Sequence, residues 1–147
     1  MDDKQLRAHF GHIHAQNVAA LSRHLITCRR FFDGDLDLFL VLMIIGERTF
    51  SRRNAPDLSF EQWQTASVRS VKQEAINLQS IADYSGIPRE TVRRKVEILV
   101  QRGWVVRDGR KYITATDKAR DELMALTESG LRYLAELRES FTQLPDA

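Results

Sequence analysis

The fold is decided by residues 78–105, which read LQSIADYSGIPRETVRRKVEILVQRGWV. Asn77, just before them, is a good helix N-cap, and the pattern predicts a short helix over 78–85 that ends at Gly86. Pro88 begins a second predicted helix, which runs to about Arg102 and stops at Gly103. Two helices joined by a tight glycine turn are typical of a helix-turn-helix.

The second predicted helix has two different faces. Four apolar side chains fall within about 100° of one another and predict a buried stripe, namely Val92, Val96, Leu99 and Val100. Polar residues occupy the other side, namely Glu90, Arg93, Arg94, Glu97 and Gln101. An α-helix with arginines on its outer side suits the major groove of DNA.

A short hairpin follows the second helix. Residues 104–106 and 112–114 are β-prone, and Asp108-Gly109 between them marks a turn. Three cations crowd the tip of this predicted wing, namely Arg107, Arg110 and Lys111. Residues 76–115 are therefore predicted to form a winged helix-turn-helix.

The charge of the chain is concentrated in this region. The 147 residues carry 22 basic and 20 acidic side chains, a formal net charge of +2. Residues 78–111 alone hold eight basic and four acidic residues, so they carry +4 and the others sum to −2. A local basic excess on such a motif indicates binding to nucleic acid.

These patterns predict a DNA-binding site. Arg93 and Arg94 are expected to enter the groove with Arg89 at the helix start, and Glu90 could accept from a cytosine amine. Residues at helix starts suit phosphate contacts, and the wing could reach the adjacent backbone or minor groove. The full predicted set is Gln79, Ser80, Arg89, Glu90, Thr91, Arg93, Arg94, Lys95, Arg107, Arg110 and Lys111.

The regions on either side are predicted to be helical. A long helix over 3–31 and a last helix over 116–141 both carry heptad-like seams. The seam positions are Leu6, Phe10, Ile13, Asn17, Ala20 and His24 in the first, and Leu123, Leu126, Gly130, Leu134, Leu137 and Phe141 in the last. The seams predict either a dimer or packing of the two helices within one chain, and Asn17 and His24 could fix the register.

Two further helices are predicted between the first helix and the motif. Residues 36–50 are apolar on nearly all sides and should be central to the core. A loop over 51–58 precedes a capping box at Ser59–Gln62 and a helix over about 60–74, with Phe60, Trp63, Ser67 and Val71 inward. The fold class is mainly α with a small β-hairpin wing, in a single domain over 1–147: segments 1–50, 51–75, 76–115 and 116–141.

The sequence resembles the winged helix-turn-helix transcriptional regulators, and the MarR-like group in particular, over about residues 74–123. The matching residues are Ser80-Ile-Ala, Ser85-Gly-Ile, Thr91-Val-Arg-Arg, Leu99, Gly103-Trp-Val and Asp108-Gly-Arg110, continuing into Ile113-Thr-Ala-Thr-Asp-Lys118. The resemblance implies a homodimer held by the terminal helices and a small-molecule effector pocket near that interface.

Other candidate sites carry weaker signals. His9, His12 and His14 suggest a metal, but His14 points about 140° away from His9 on a helix. Cys28 is expected to be a core residue, with a redox thiol beside Arg29 and Arg30 as the alternative. Trp63 is expected to pack, or to stack on a ligand. No catalytic motif is present, so we expect neither an enzyme nor a cofactor.

The predicted function is a sequence-specific DNA-binding transcriptional regulator, with repression favoured. We expect a soluble, cytoplasmic homodimer, because no secretory signal opens the chain and the apolar run 38–45 is too short for a membrane span. The alternatives are a winged helix used as a protein–protein interaction module, and a ligand-binding or enzymatic domain with an appended winged helix. The operator, the effector and the regulated process are left open.

Overall fold

The computed structural model describes residues 1–49, 56–67 and 74–144. It divides into two compact units: Met1–Gly34 with Met124–Ala147, and Asp35–Leu123. We call them the helical unit and the winged unit. That the whole chain forms a single domain stays a prediction.

The elements of the described residues follow the predicted order. They are α1 (Asp3–Ala8), α2 (Phe10–Phe31), α3 (Leu36–Thr49), α4 (Phe60–Thr65), α5 (Leu78–Ser85), α6 (Arg89–Gln101), β1 (Val105–Arg107), β2 (Ile113–Ala115), α7 (Asp117–Glu122) and α8 (Met124–Thr142). The predicted fold class, mainly helical with a β-hairpin wing, is confirmed. None of the described helices is both long enough and apolar enough to cross a membrane.

The core of the winged unit is built on α3. This helix buries Leu38, Val41, Leu42, Ile44 and Ile45, and it packs against α5, α6 and β2. The Thr49 hydroxyl, fully buried at its end, donates to Ile45 O (2.9 Å) and accepts from Ala115 N (3.0 Å). This hydroxyl therefore satisfies a buried amide at the end of β2, as buried polar groups require.

The helix-turn-helix forms as the local signals predict. The Asn77 side chain accepts from Ser80 N (2.9 Å) at the start of α5, and Gly86 ends it with φ +76°. Val92, Val96 and Leu99 of α6 are fully buried, but Val100 is 39% exposed. The predicted stripe was therefore one residue too wide, because Val100 lies at its edge on the helix.

The wing is an antiparallel pair that begins one residue later than predicted. Val105 pairs with Ala115, and Arg107 pairs with Ile113. Trp104 lies past the end of α6 and caps it, because its amide donates to Leu99 O (3.0 Å). Ile76 also bridges to Ile113, which adds a third backbone segment to the sheet that the sequence did not predict.

The helix predicted over 60–74 is shorter in the structure. Its capping box is confirmed, since Ser59 and Gln62 exchange side-chain hydrogen bonds, but α4 ends at Thr65 and Ala66 is extended. Phe60 and Trp63 are half-buried, whereas Ser67 is exposed and not inward. Val71 and most of the predicted loop over 51–58 lie outside the described residues.

The helical unit is a pair formed by α2 and α8. Tyr133 Oη donates to Asn17 Oδ1 (2.6 Å), and His24 Nδ1 lies 2.9 Å from Ser129 Oγ. The terminal helices thus pack on each other within one chain, which was one of the two open alternatives. The long helices are each interrupted, at His9 and at Leu123.

The seams differ in detail from the predicted ones. Phe10 and Leu134, two predicted seam residues, are each 59% exposed. On α8 the buried residues are Ser129 and Ser140, which are not predicted seam positions. The inner face of α8 is therefore rotated from the predicted seam, and its apolar positions partly face solvent.

Candidate nucleic-acid interface

The apolar stripe of α6 is buried, so the opposite side of the helix is exposed. Because Val92, Val96 and Leu99 pack inward, the side chains on the other side point away from the core. The exposed residues on this helix include Arg89, Glu90, Arg94, Glu97 and Gln101. The predicted polar face thus exists as a continuous charged surface.

Arg93 is held between two glutamates of its own helix. Its Nε and Nη2 donate to the two carboxylate oxygens of Glu90 (3.0 and 2.6 Å), and its Nη1 donates to Glu97 Oε1 (2.6 Å). The hydrogen bonds from Arg93 lower the pKa of Glu90, and those to the glutamates raise the pKa of Arg93. We call these three residues the Arg93 cluster.

Arg89 and Arg94 are the exposed arginines beside this cluster. Arg94 makes one long contact, from Nη2 to Thr91 Oγ1 (3.4 Å). Thr91 is itself half-buried near the start of α6. Both arginines are exposed on the outer face of α6, and their contact with DNA stays a prediction.

A basic cleft opens where α5, α6 and the wing approach one another. It has a volume of about 230 Å³. Its lining residues are Asn77, Leu78, Gln79, Arg89, Arg107, Arg110, Lys111 and Tyr112. The structure thus brings four of the predicted cations together, one from α6 and three from the wing. We call this site the wing cleft.

The turn of the wing sets the direction of these cations. Asp108 Oδ1 accepts from Arg110 N (2.8 Å) and Tyr112 N (3.0 Å), and Lys111 has φ +67°. A carboxylate that binds successive amides of its own loop fixes a tight turn. The basic tip of the wing is therefore ordered by Asp108.

Three further predicted site residues also have partners inside the protein. Lys95 Nζ lies 2.5 Å from Asp35 Oδ2, and its side chain is only 21% exposed. Gln79 Nε2 donates to Asp83 Oδ1 (2.8 Å) while it lines the wing cleft. Ser80 is half-buried, and its amide donates to the Asn77 cap. Lys95 therefore faces α3 and not the outer side of α6.

Two residues of the wing cleft were missed by the sequence reasoning. Asn77 was read only as a cap, and Tyr112 only as a strand residue, yet both line the cleft. Tyr112 is 41% exposed. Its position next to the basic turn was the signal that could have identified it.

The other candidate residues do not assemble into a site. Within the described ranges, no group of three or more His, Cys, Asp or Glu side chains is placed to hold a metal ion. Cys28 is fully buried, and burial raises the pKa of its thiol, although a backbone hydrogen bond opposes this. Burial of the Cys28 side chain makes its thiol less reactive. Trp63 is half-buried on α4.

Comparison with known families decides what the motif is. Residues 72–109, about a quarter of the chain, match the model of the IclR helix-turn-helix domain. This segment is a DNA-binding helix-turn-helix. The match extends from just before α5 to the turn of the wing, so it includes most of the charged surfaces described above.

The helix-turn-helix domain supports a role in the regulation of transcription. The narrower MarR-like resemblance is not confirmed, because the matching model is that of a different family. Comparisons with curated proteins and with solved structures gave no match.

Proposed function

We propose that the protein is a dimeric repressor that reads a specific DNA sequence with α6 and holds the flanking DNA with its wing. The observation that carries the proposal is the wing cleft, where three cations of the wing converge with Arg89 of α6. Clustered cations beside a helix that can enter the major groove are typical of a DNA-binding surface.

The groove-reading part of the proposal depends on α6. Its outer face carries Arg89 and Arg94 without a strong internal partner among the described residues. An α-helix fits the major groove, where arginine donates to two acceptors of guanine. We therefore assign the sequence-dependent contacts to α6.

The phosphate-binding part depends on the wing cleft. Arg107, Arg110 and Lys111 lie on the wing, and Arg89 lies opposite them at the start of α6. Each cation that neutralises a phosphate releases counterions and makes binding dependent on salt. The cleft is therefore expected to hold the backbone next to the major groove, or to place the wing in the minor groove.

A titration of fluorescent genomic fragments at several salt concentrations tests the function. Wild-type protein is expected to bind selected fragments with a steep fall of log affinity against log salt. Arg110→Ala with Lys111→Ala should lower that slope by about 2. Arg93→Ala with Arg94→Ala should weaken the best fragment most.

A matched control separates these effects from loss of total charge. Arg138→Ala removes an exposed cation from α8, in the helical unit. It should leave affinity close to that of the wild type. Wild-type affinity in the Arg93 and Arg94 double variant would show that α6 is not the reader.

The dimer is supported by apolar surface on the helical unit. Val18 and Leu25 on α2 are 48% and 39% exposed, and Leu131 and Leu134 on α8 are 44% and 59% exposed. Residues seven apart, or three apart, share a helix face. Each helix thus carries an apolar stripe besides the one it uses within the chain. A monomer in sedimentation at micromolar concentration would count against the dimer.

The helical unit also has a cleft that is large enough for a small-molecule effector. A cleft of about 420 Å³ lies near the start of α2 and the end of α8, lined partly by Leu6, Phe10, Ile13, Leu137 and Phe141. Pockets for small molecules are concave and mostly apolar. The cleft therefore supports the proposal of an effector, to be tested by a ligand-induced shift in melting temperature.

A protein-interaction module is the second candidate. Arg93 is occupied by Glu90 and Glu97, and this mixed-charge surface also suits a protein partner. This candidate predicts no salt-dependent affinity for DNA. The same titration therefore distinguishes the two functions.

A further inference from the structure

The Arg93 cluster leaves a defined set of hydrogen-bonding groups for a ligand. A guanidinium has five N–H groups, and the cluster uses three of them. Among the described residues, one N–H on Nη1 and one on Nη2 are left without a partner. Two donors on one planar group therefore stay available on Arg93.

The two glutamates differ in what they leave free. Glu90 gives both of its oxygens to Arg93, whereas Glu97 gives only Oε1. Within the described ranges, Glu97 Oε2 accepts no hydrogen bond. The cluster thus presents two donors next to one acceptor, with side chains that are 39% exposed for Arg93 and 50% exposed for Glu97.

The charge of the cluster argues against a phosphate partner. Two carboxylates and one guanidinium sum to −1, so the cluster by itself repels a phosphate, which a lone arginine would attract. The edge of a base carries no formal charge and is not repelled in this way. The Arg93 cluster is therefore better suited to a base edge than to the DNA backbone.

We infer that Arg93 and Glu97 together read one G·C base pair, with Glu90 as the positioning residue that holds Arg93. In the major groove, guanine presents the acceptors N7 and O6, and its cytosine presents the N4 donor. Two donors and one acceptor on the protein complement this row. This inference rests on the proposed function, since it requires that α6 lie in the major groove. It replaces Glu90 with Glu97 as the residue that accepts from cytosine.

The test is a complete set of single base-pair substitutions in the best selected DNA site, measured at fixed salt. At one position the wild type should prefer G·C by about 5- to 150-fold. Arg93→Ala should abolish the preference at that position and leave the others. Glu97→Gln should reduce it at the same position, because an amide does not distinguish the cytosine amine from an acceptor.

Glu90→Gln tests the positioning role. It should reduce the same G·C preference without removing either contacting group, while thermal unfolding changes little. A role in helix stability alone would change the melting temperature and leave the preference intact. Glu128→Gln in the helical unit changes the net charge equally and should leave the preference unchanged.

The outcomes separate this inference from the proposed function. Absence of salt-dependent DNA binding in the wild type would overturn both. Specific binding in which Arg93→Ala and Glu97→Gln affect different positions, or weaken all sequences equally, would overturn the inference alone. A fall in the salt slope of about 1 in Arg93→Ala would show that Arg93 contacts a phosphate.

Discussion

The two units of the protein use their apolar residues differently. In the winged unit, the 13 residues of α6 bury Val92, Val96 and Leu99. In the helical unit, the 22 residues of α2 bury only Ala20 and Cys28. Exposed Phe10, Val18 and Ile26 on α2 show that much apolar surface is left over there. The helix α6 thus completes its packing within the winged unit, whereas α2 keeps exposed apolar surface of the kind that marks protein–protein contacts.

The largest expected effect comes from creating a cavity in the core of the winged unit. Leu99 is fully buried, so Leu99→Ala removes packed methyl groups and should cost about 2–5 kcal/mol of the free energy of unfolding. Leu134→Ala makes the same chemical change at a residue that is 59% exposed. It should cost less than about 0.5 kcal/mol in dilute protein. Chemical denaturation measures both.

Leu134→Ala also tests the proposed dimer surface. Leu134→Ala should weaken self-association in sedimentation even though the dilute protein stays folded. Equal losses of stability in Leu99→Ala and Leu134→Ala would break the distinction between the units. Unchanged self-association in Leu134→Ala would remove that residue from the proposed dimer surface.

The next effect tests the turn of the winged unit. Gly86 has φ +76°, and a Cβ there would meet no atom within 4 Å, so Gly86→Ala adds backbone strain alone. We expect a loss of about 1–2 kcal/mol. Gly46 lies within α3 with the same open space, and Gly46→Ala should stabilise by about 0.5–1 kcal/mol. Melting temperatures that move in the same direction would contradict this account.

A third pair of variants separates structure from DNA binding on α6. Lys95→Met removes the ion pair with Asp35 and keeps the apolar stem, and it should cost about 1 kcal/mol at neutral pH. Arg94→Met should instead weaken DNA binding and leave stability unchanged. Denaturation and DNA titration of both variants measure the difference, and a large loss of DNA affinity in Lys95→Met would return that residue to the interface.

Measuring the stability of the same Lys95→Met variant at acid pH tests the role of the Asp35 carboxylate. Burial opposes the charge of Asp35, but hydrogen bonds from Lys95 and Leu38 N lower its pKa overall. A lowered carboxyl pKa stabilises above the unfolded value and loses that effect as pH falls through the folded one. The gap between wild type and Lys95→Met should therefore close below about pH 4.

The winged unit was predictable because its signals are local. Asn77 and Gly86 specify the two ends of α5 from neighbouring residues alone, and the structure has those ends. The orientation of Lys95 was also accessible, since it lies three residues after Val92 and four before Leu99, beside the buried stripe. Its partner Asp35, 60 residues away, was not, because no local pattern joins them.

The helical unit was less predictable because its helices carry apolar residues on more than one side. The period of 3.6 shows that stripes exist but does not say which one faces the partner helix. The side that faces α2 is marked by polar contacts between residues far apart in the sequence: Ser129 is buried and lies 2.9 Å from His24 Nδ1, and Tyr133 donates to Asn17. Pairing of this kind is a tertiary property.

The smallest effect is a pH dependence within the helical unit. His24 lies beside Ser129 and Cys28, its ring stacks on Tyr133 at 6.0 Å, and burial lowers its pKa. The cleft around it also holds the charged groups Arg23, Arg132 and Glu136, of which Arg23 pairs with Glu136.

The sign follows from where the proton binds. As pH falls through about 6.5, the unfolded chain protonates this histidine and the folded protein resists, so the free energy of unfolding decreases. The decrease ends once pH lies below the folded pKa. His24→Gln should flatten this part of the pH profile, whereas His12→Gln, which removes an exposed ring from the same helix, should retain it. A profile that falls equally in His24→Gln would show that groups other than His24 produce the decrease.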